Sequence, residues 1–379
     1  MSKKKRFFQI VKRVAKLGGL GFLILLIILL IPLVRAGIEC RYFSRDTPPP
    51  EAVSVERQAV TAGLSNYRRS EEQTYLTLPE WYIVYSADEY AAFIAENPPS
   101  HFPYFTAIGQ YWRSYYQVCA ITRDEYPLNG RYQTILAVIG TSFTLENIVK
   151  GVYENSIGRV TEWLSSADLT EEDAYARQVA KEYGDFIHTI PWFEFPFKEK
   201  LRGLWTETSL WGPNVIRKWE RKFALSLEYG GKALYARLIK GGNEASFTPQ
   251  DVEIQVWAED LSKDALAQEP DVRLVQPIDN TAAIAVLPRY EAFTQLLPRL
   301  AQEGVEFVEI AGNDEIMITV IAPDDWTNDL GAGDVLLEMP VLSQPGFKRV
   351  AVNVPVTALH TVLIALEDDA ARLEHVYDY

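Results

Sequence analysis

The chain has 379 residues, of which 48% are hydrophobic and 23% are charged, a composition that excludes a disordered protein. Its net charge of −14 is unevenly spread, since residues 241–379 hold seven Lys or Arg and twenty-five Asp or Glu. Nucleic acid is excluded as the expected partner, because a phosphate backbone requires a positive protein surface.

A charge-free stretch near the N-terminus predicts a transmembrane helix. "LGGLGFLILLIILLIPLV", residues 17–34, is just long enough to cross a hydrocarbon core of roughly 30 Å as a helix, at about 1.5 Å per residue. We assign residues 17–36 to this helix and the basic residues 1–16 to a cytoplasmic tail, because Lys and Arg collect on the cytoplasmic side. The alternative is a cleaved signal peptide, but the apolar run is longer than that of a signal peptide, and the nearest site, Val34-Arg35-Ala36, has a bulky charged middle residue. The sequence therefore predicts a single-pass signal anchor with the bulk of the chain extracytoplasmic, which in a bacterium means an inner-membrane protein facing the periplasm.

Residues 37–50, which include "RDTPPPEA", are predicted to be an extended linker. Cys40 and Cys119 lack CxxC spacing, and they either stay as free thiols, the favoured alternative, or pair as a disulfide in an oxidising compartment. The four histidines are scattered without metal-ligand spacing, so we expect no metal site and no cofactor.

Residues 51–245 are predicted to form a mainly helical domain. One helix starts at a capping box formed by Ser86 and Glu89 and stops before Pro98. A later apolar stripe is predicted to pack against other helices: Ile216, Trp219, Phe223, Leu227, Leu234 and Leu238.

"TLPEWYIVYS", residues 77–86, has the alternation of a β-strand, and Glu80 lies among its aromatic residues. A carboxylate in such surroundings can have a raised pKa and act as an acid or base, although a solvated carboxylate in a turn is the favoured alternative. His188 is a further titratable candidate for the same role.

"TILAVIGTSFTLENIVKGVY", residues 134–153, is interpreted as a buried soluble helix and not as a second membrane span. Glu146 and Lys150 lie one turn apart in it, and a charge at the centre of a bilayer costs roughly 2.5–3.5 kcal/mol. These two residues are a candidate polar site inside a helical bundle. The favoured alternative is a simple ion pair on the helix surface.

"PWFEFPFKEKLRGLW", residues 191–205, interleaves rings and cations. Trp prefers the membrane–water boundary and Lys and Arg reach anionic headgroups, so this segment is a candidate second membrane contact. The residues proposed to touch the membrane are Trp192, Phe195, Phe197 and Trp205. The favoured alternative is that these rings belong to the core and the basic residues are solvated.

Residues 246–379 alternate strand and helix patterns. Two helices share the same apolar spacing, and each follows a strand that ends in proline, Pro288 or Pro355. "VEFVEI" and "EIMITVI" are predicted to form a hairpin, and residues 322–347 an insertion with one further strand. The expected fold class is α+β: a transmembrane helix, a helical middle domain and a C-terminal ferredoxin-like α/β sandwich.

The absence of catalytic motifs favours a membrane-anchored binding or assembly protein whose partners are the lipid bilayer and another protein or a second copy of this chain. The alternative is an extracytoplasmic, carboxylate-dependent hydrolase that acts on lipid or envelope material, with Glu80, Glu146 and His188 as its candidate residues. A transport component is a third alternative.

Overall fold

The computed structural model describes residues 3–41, 60–61, 63–165, 169–243, 252–261 and 269–379. Most of the predicted linker, and the predicted boundary between the helical and α/β parts at residue 245, lie outside the described residues. Helices fill the first part of the chain: α1 Lys3–Glu39, α2 Glu72–Leu76, α3 Leu78–Glu96, α4 Tyr104–Thr122, α5 Gly130–Tyr153, α6 Arg159–Leu164, α7 Glu171–Ile187, α8 Phe197–Thr206 and α9 Val215–Asn243. A π turn, Glu154–Gly158, joins α5 to α6 without a break in the helical path.

Two helical stretches, Gly19–Glu39 and Gly130–Leu164, are long and apolar enough to cross a membrane. The first confirms an apolar N-terminal helix of the kind that the sequence predicts. Its last turns pack against α4 and α5, where Tyr116 donates a hydrogen bond of 3.2 Å to the carbonyl of Pro32. Cys40 and Cys119 form a disulfide there, so the favoured prediction of free thiols is wrong.

The strand predicted at residues 77–86 is also wrong, because this segment is the start of α3. Pro79 lies in the first turn of the helix, where its missing N–H costs nothing. Trp81, Tyr82 and Tyr85 are buried by neighbouring elements, which override the strand-like composition of the segment.

The inward side of α9 is the reverse of the predicted one, and α5 is only partly buried. Every residue of the predicted core stripe on α9 is exposed, and Leu227 is 61% exposed. The buried side of α9 instead carries cations, which we call the buried cations of α9: Arg217, Lys218, Arg221 and Lys222. On α5 the buried residues are small or polar apart from Leu136, while Val149 is 59% exposed, so the prediction of a buried apolar helix fails on its outer side.

The C-terminal part contains two four-stranded antiparallel sheets. The strands and helices are β1 Glu253–Glu259, β2 Arg273–Pro277, β3 Ala283–Pro288, α10 Glu291–Gln302, β4 Glu306–Ile310, β5 Glu315–Pro323, β6 Asp334–Pro340, β7 Phe347–Pro355, α11 Val356–Ala365 and β8 Arg372–Val376. The first sheet has the order β2-β3-β1-β4, and the second has the order β6-β7-β5-β8. The two sheets therefore repeat one βββαβ unit in the same topology.

The ferredoxin-like sandwich is not confirmed, since each sheet carries one helix in its own unit. The predicted hairpin is wrong, because β4 and β5 belong to different sheets. Both helices and one face of each sheet share a single core, in which α11 packs on β4 and α10 contacts β8. The other face of the second sheet packs on α2, α3 and α4 through residues such as Met317 and Tyr377.

Candidate functional site

Four charged residues meet between α5 and α9, and we call them the charge tetrad: Glu146, Lys150, Glu228 and Lys232. Each helix contributes a glutamate followed one turn later by a lysine. The facing residues run in opposite directions along the two helices, so each glutamate meets the lysine of the other helix.

The charge tetrad is a closed ring of ion pairs. Lys150 Nζ lies 2.6 Å from Glu228 Oε1 and 3.1 Å from Glu146 Oε1. Lys232 Nζ lies 2.9 Å from Glu146 Oε1 and 3.5 Å from Glu228 Oε1. Desolvation raises the pKa of Glu228, but Lys150 and Lys232 outweigh it and lower the pKa below its ordinary value. Desolvation lowers the pKa of Lys232, and Glu146 outweighs it, so this ammonium stays charged.

Behind the charge tetrad lies a cavity of about 90 Å³ between α3, α5, α7 and α9. A cavity of this size has room for a few waters or for a small ligand. Aromatic rings line it beside the lysines: Tyr90 lies 5.1 Å from Lys150 Nζ, and Tyr183 lies 4.9 Å from Lys232 Nζ. Rings at these distances stabilise cations.

The buried cations of α9 form a second ionic group farther along the same helix. Arg221 Nη1 lies 2.7 Å from Glu154, and Lys222 Nζ lies 3.1 Å from Glu172, both in nearly complete burial. Arg217 binds Asp173 at 2.9 Å. A buried cation needs a partner of this kind, so these contacts are structural and leave the group closed to a ligand.

Glu80 and Glu146 do not share a site. Tyr132, near the start of α5, donates a hydrogen bond of 2.7 Å to Glu80. Tyr132 and Glu146 are separated by about 21 Å along the helix axis, at about 1.5 Å per residue. Desolvation raises the pKa of Glu80 and the hydrogen bond from Tyr132 opposes it, but the residue is exposed and solvent screens both effects.

His188 bridges the helical part and the C-terminal part. Its Nε2 lies 2.7 Å from Asp88 on α3, and its Nδ1 lies 3.5 Å from Glu291 on α10. Hydrogen bonds to Asp88 and Glu291 raise the pKa of His188 to about 10. Nearby, burial lowers the pKa of His375 to about 3, and its ring centroid lies 3.7 Å from that of Trp81, with the two ring planes tilted by 38°.

The predicted membrane contact at residues 191–205 is corrected in part. Phe195 and Phe197 are core residues that pack with Tyr183, so they do not reach a membrane surface. Trp192 is half-buried, and Trp205 is 44% exposed.

Glu228 and Lys232 were not among the site residues predicted from the sequence. Their spacing repeats that of Glu146 and Lys150 and could have drawn attention to them. The sequence did not show which side of α9 faces inward, because its cations and its apolar residues recur with the same helical period. The chain matches no protein-family model, no curated protein and no solved structure at a significant level.

Proposed function

We propose that this chain is a membrane-anchored binding protein that holds a small zwitterionic ligand in the cavity behind the charge tetrad. The apolar helix α1 supports the anchor, and the disulfide joins its end to the helical part. The observation that carries the proposal is the alternation of two carboxylates and two ammonium groups around one ring-lined cavity.

A ligand with one ammonium and one carboxylate group matches this alternation. Its ammonium group would lie between Glu146 and Glu228 and beside the rings, and its carboxylate between Lys150 and Lys232. Such a ligand replaces ion pairs between the glutamates and the lysines by ion pairs to its own ammonium and carboxylate groups. No charge in the site is left unpaired, so the cost of desolvation stays low. The small volume of the cavity restricts the ligand to a few heavy atoms.

The same geometry disfavours the hydrolase. A carboxylate-dependent hydrolase needs one carboxyl group that keeps its proton near neutral pH. Lys150 and Lys232 contact both carboxylates of the charge tetrad, and they lower the pKa of Glu228, so neither glutamate is suited to be that acid.

Thermal unfolding of the full chain in detergent micelles with glycine as the probe tests the proposal. Glycine is expected to raise the unfolding temperature, because a ligand that binds only the folded state stabilises it. Methylammonium and acetate at the same ionic strength are expected to have less effect. Glu228→Gln should abolish the glycine effect, whereas the control Glu199→Gln, on the exposed side of α8, should keep it.

A glycine effect that persists in Glu228→Gln would be a solvent effect, and it would contradict the proposal. So would equal shifts from glycine and from the two singly charged probes.

A further inference from the structure

The outer side of α9 is apolar over most of its length. The exposed side chains are Ile216, Trp219, Phe223, Leu227, Leu234 and Leu238. The opposite side of the helix holds the buried cations of α9 and half of the charge tetrad. A helix in water normally has the reverse arrangement, with its apolar side inward and its charges outward.

The outer side of α5 and α6 has the same character. Its exposed apolar residues include Ile135, Val138, Leu145, Val149, Val152, Val160 and Trp163. The inner side contains Gly140, Thr144, Asn147 and Gly151, and a side chain at Gly140 would collide with the ring of Tyr111 on α4. Close helix packing through small residues, with polar groups inside, is typical of helices in lipid.

These two outer sides form one surface. Polar contacts join the helices along their length, from Ser142–Tyr235 at 3.3 Å through the charge tetrad to Glu154–Arg221 at 2.7 Å. Each helix buries its inner side against the other helices of the bundle, so both outer sides point away from the core. We call this surface, made of the exposed apolar residues of α5, α6 and α9, the apolar face.

Tryptophans collect at one end of the apolar face. Trp163 and Trp211 are 83% and 73% exposed, and Trp219 contacts both Trp205 and Trp211 with ring centroids 6.1 Å and 6.4 Å apart. Glu162 contacts Arg217 at 3.2 Å, which places Trp163 near the same end. Exposed indole rings at the edge of an apolar surface are typical of a membrane–water boundary.

We infer that the apolar face is immersed in the hydrocarbon of the bilayer that α1 enters. The end of α1 packs on α4 and α5 and is held to α4 by the disulfide, so the apolar face is kept close to the membrane. The stretch Gly130–Leu164, which forms half of the apolar face, is also apolar enough in composition for a lipid environment. This inference does not depend on the proposed ligand.

Spin-label accessibility in the full chain tests the inference. Single cysteines replace Val149 on α5, Leu227 on α9, Ala174 on the exposed polar side of α7, and Ile27 on α1. The native cysteines are paired, so a nitroxide reagent labels only the introduced thiol. In phosphatidylcholine vesicles, collision rates are measured with oxygen, which concentrates in lipid, and with a nickel chelate, which stays in water.

Labels at Val149→Cys and Leu227→Cys are expected to give the high oxygen-to-nickel ratio of Ile27→Cys and not the low ratio of Ala174→Cys. A ratio at both positions that equals that of Ala174→Cys would overturn the inference, because the face would be in water. Low collision rates with both reagents would also overturn it, because another protein surface, such as a second copy of the chain, would then cover the face.

Discussion

His188 connects the helical part to the C-terminal part, and the strength of this connection depends on whether its imidazole is protonated. Its imidazolium group lies between Asp88 and Glu291, which belong to different parts of the chain. The side chain is 27% exposed, so protons exchange with solvent while the ion pairs remain partly shielded. The charge state of His188 therefore affects how firmly the two parts hold together.

We expect His188→Gln to lower the free energy of unfolding by about 1.5–3 kcal/mol near pH 6, the usual value of hydrogen bonds to charged groups. The folded-state pKa of about 10 exceeds the ordinary 6.5, so the stabilisation is complete below pH 6.5 and is lost as the pH rises toward 10. Unfolding of both proteins in detergent across this pH range measures the difference. His101→Gln, at an exposed site, is the control. If the difference in stability between the native protein and His188→Gln stays constant up to pH 10, the raised pKa of His188 is contradicted.

At the scale of the elements, α9 shows where sequence patterns succeed and where they fail. The helical spacing of its apolar residues was predicted from the sequence, but the assignment of the apolar side to the core was wrong. Arg217 and Arg221 follow the same helical period as Phe223 and Leu227, and only the partners contributed by distant helices decide which side turns inward. The hydrophobic effect turns the apolar side of a helix toward the protein core only when the helix is surrounded by water.

We expect Arg221→Met to lower the free energy of unfolding by about 3–5 kcal/mol, because it leaves Glu154 without its buried partner and removes one of the two cations that contact Asp173. Phe223→Ala, two residues farther on, should cost less than about 1 kcal/mol in detergent, since that ring is 59% exposed. Chemical unfolding followed by circular dichroism compares the two variants. The opposite ranking would mean that the apolar side of α9 is the packed one.

The two helices of the C-terminal part were predicted from the sequence more accurately than the buried side of α9. The strands that end at Pro288 and Pro355 lead into α10 and α11. The apolar residues of these two helices have the same spacing, which predicted a repeated strand–helix unit. The sequence did not show that β4 and β5 belong to different sheets, because the short segment between them resembles a hairpin turn. Pairing between strands far apart in the chain depends on contacts that no local pattern records.

For the whole molecule, the disulfide between Cys40 and Cys119 joins the end of α1 to α4 of the helical part. We expect replacement of both Cys40 and Cys119 by Ala to lower the free energy of unfolding by about 2–4 kcal/mol, because the bond closes a long loop of the unfolded chain. Thermal unfolding in detergent, with and without a reducing agent, measures this. The variant should not respond to the reducing agent, and a native protein that is equally unresponsive would show that the bond adds nothing to stability.

The two βββαβ units have a consequence for the origin of the fold. The helix of each unit packs on the last strand of the other unit: α10 contacts β8, and α11 contacts β4. The protomers of a two-fold symmetric dimer exchange contacts in the same way. Joining two such protomers in one chain frees each copy to change by itself. The outer face of the second sheet packs on helices, whereas the first sheet bonds to the segment before α2 through Glu309 and Tyr67. The two units therefore share a topology but differ in what their outer faces meet, and the packing on α2, α3 and α4 belongs to the second sheet.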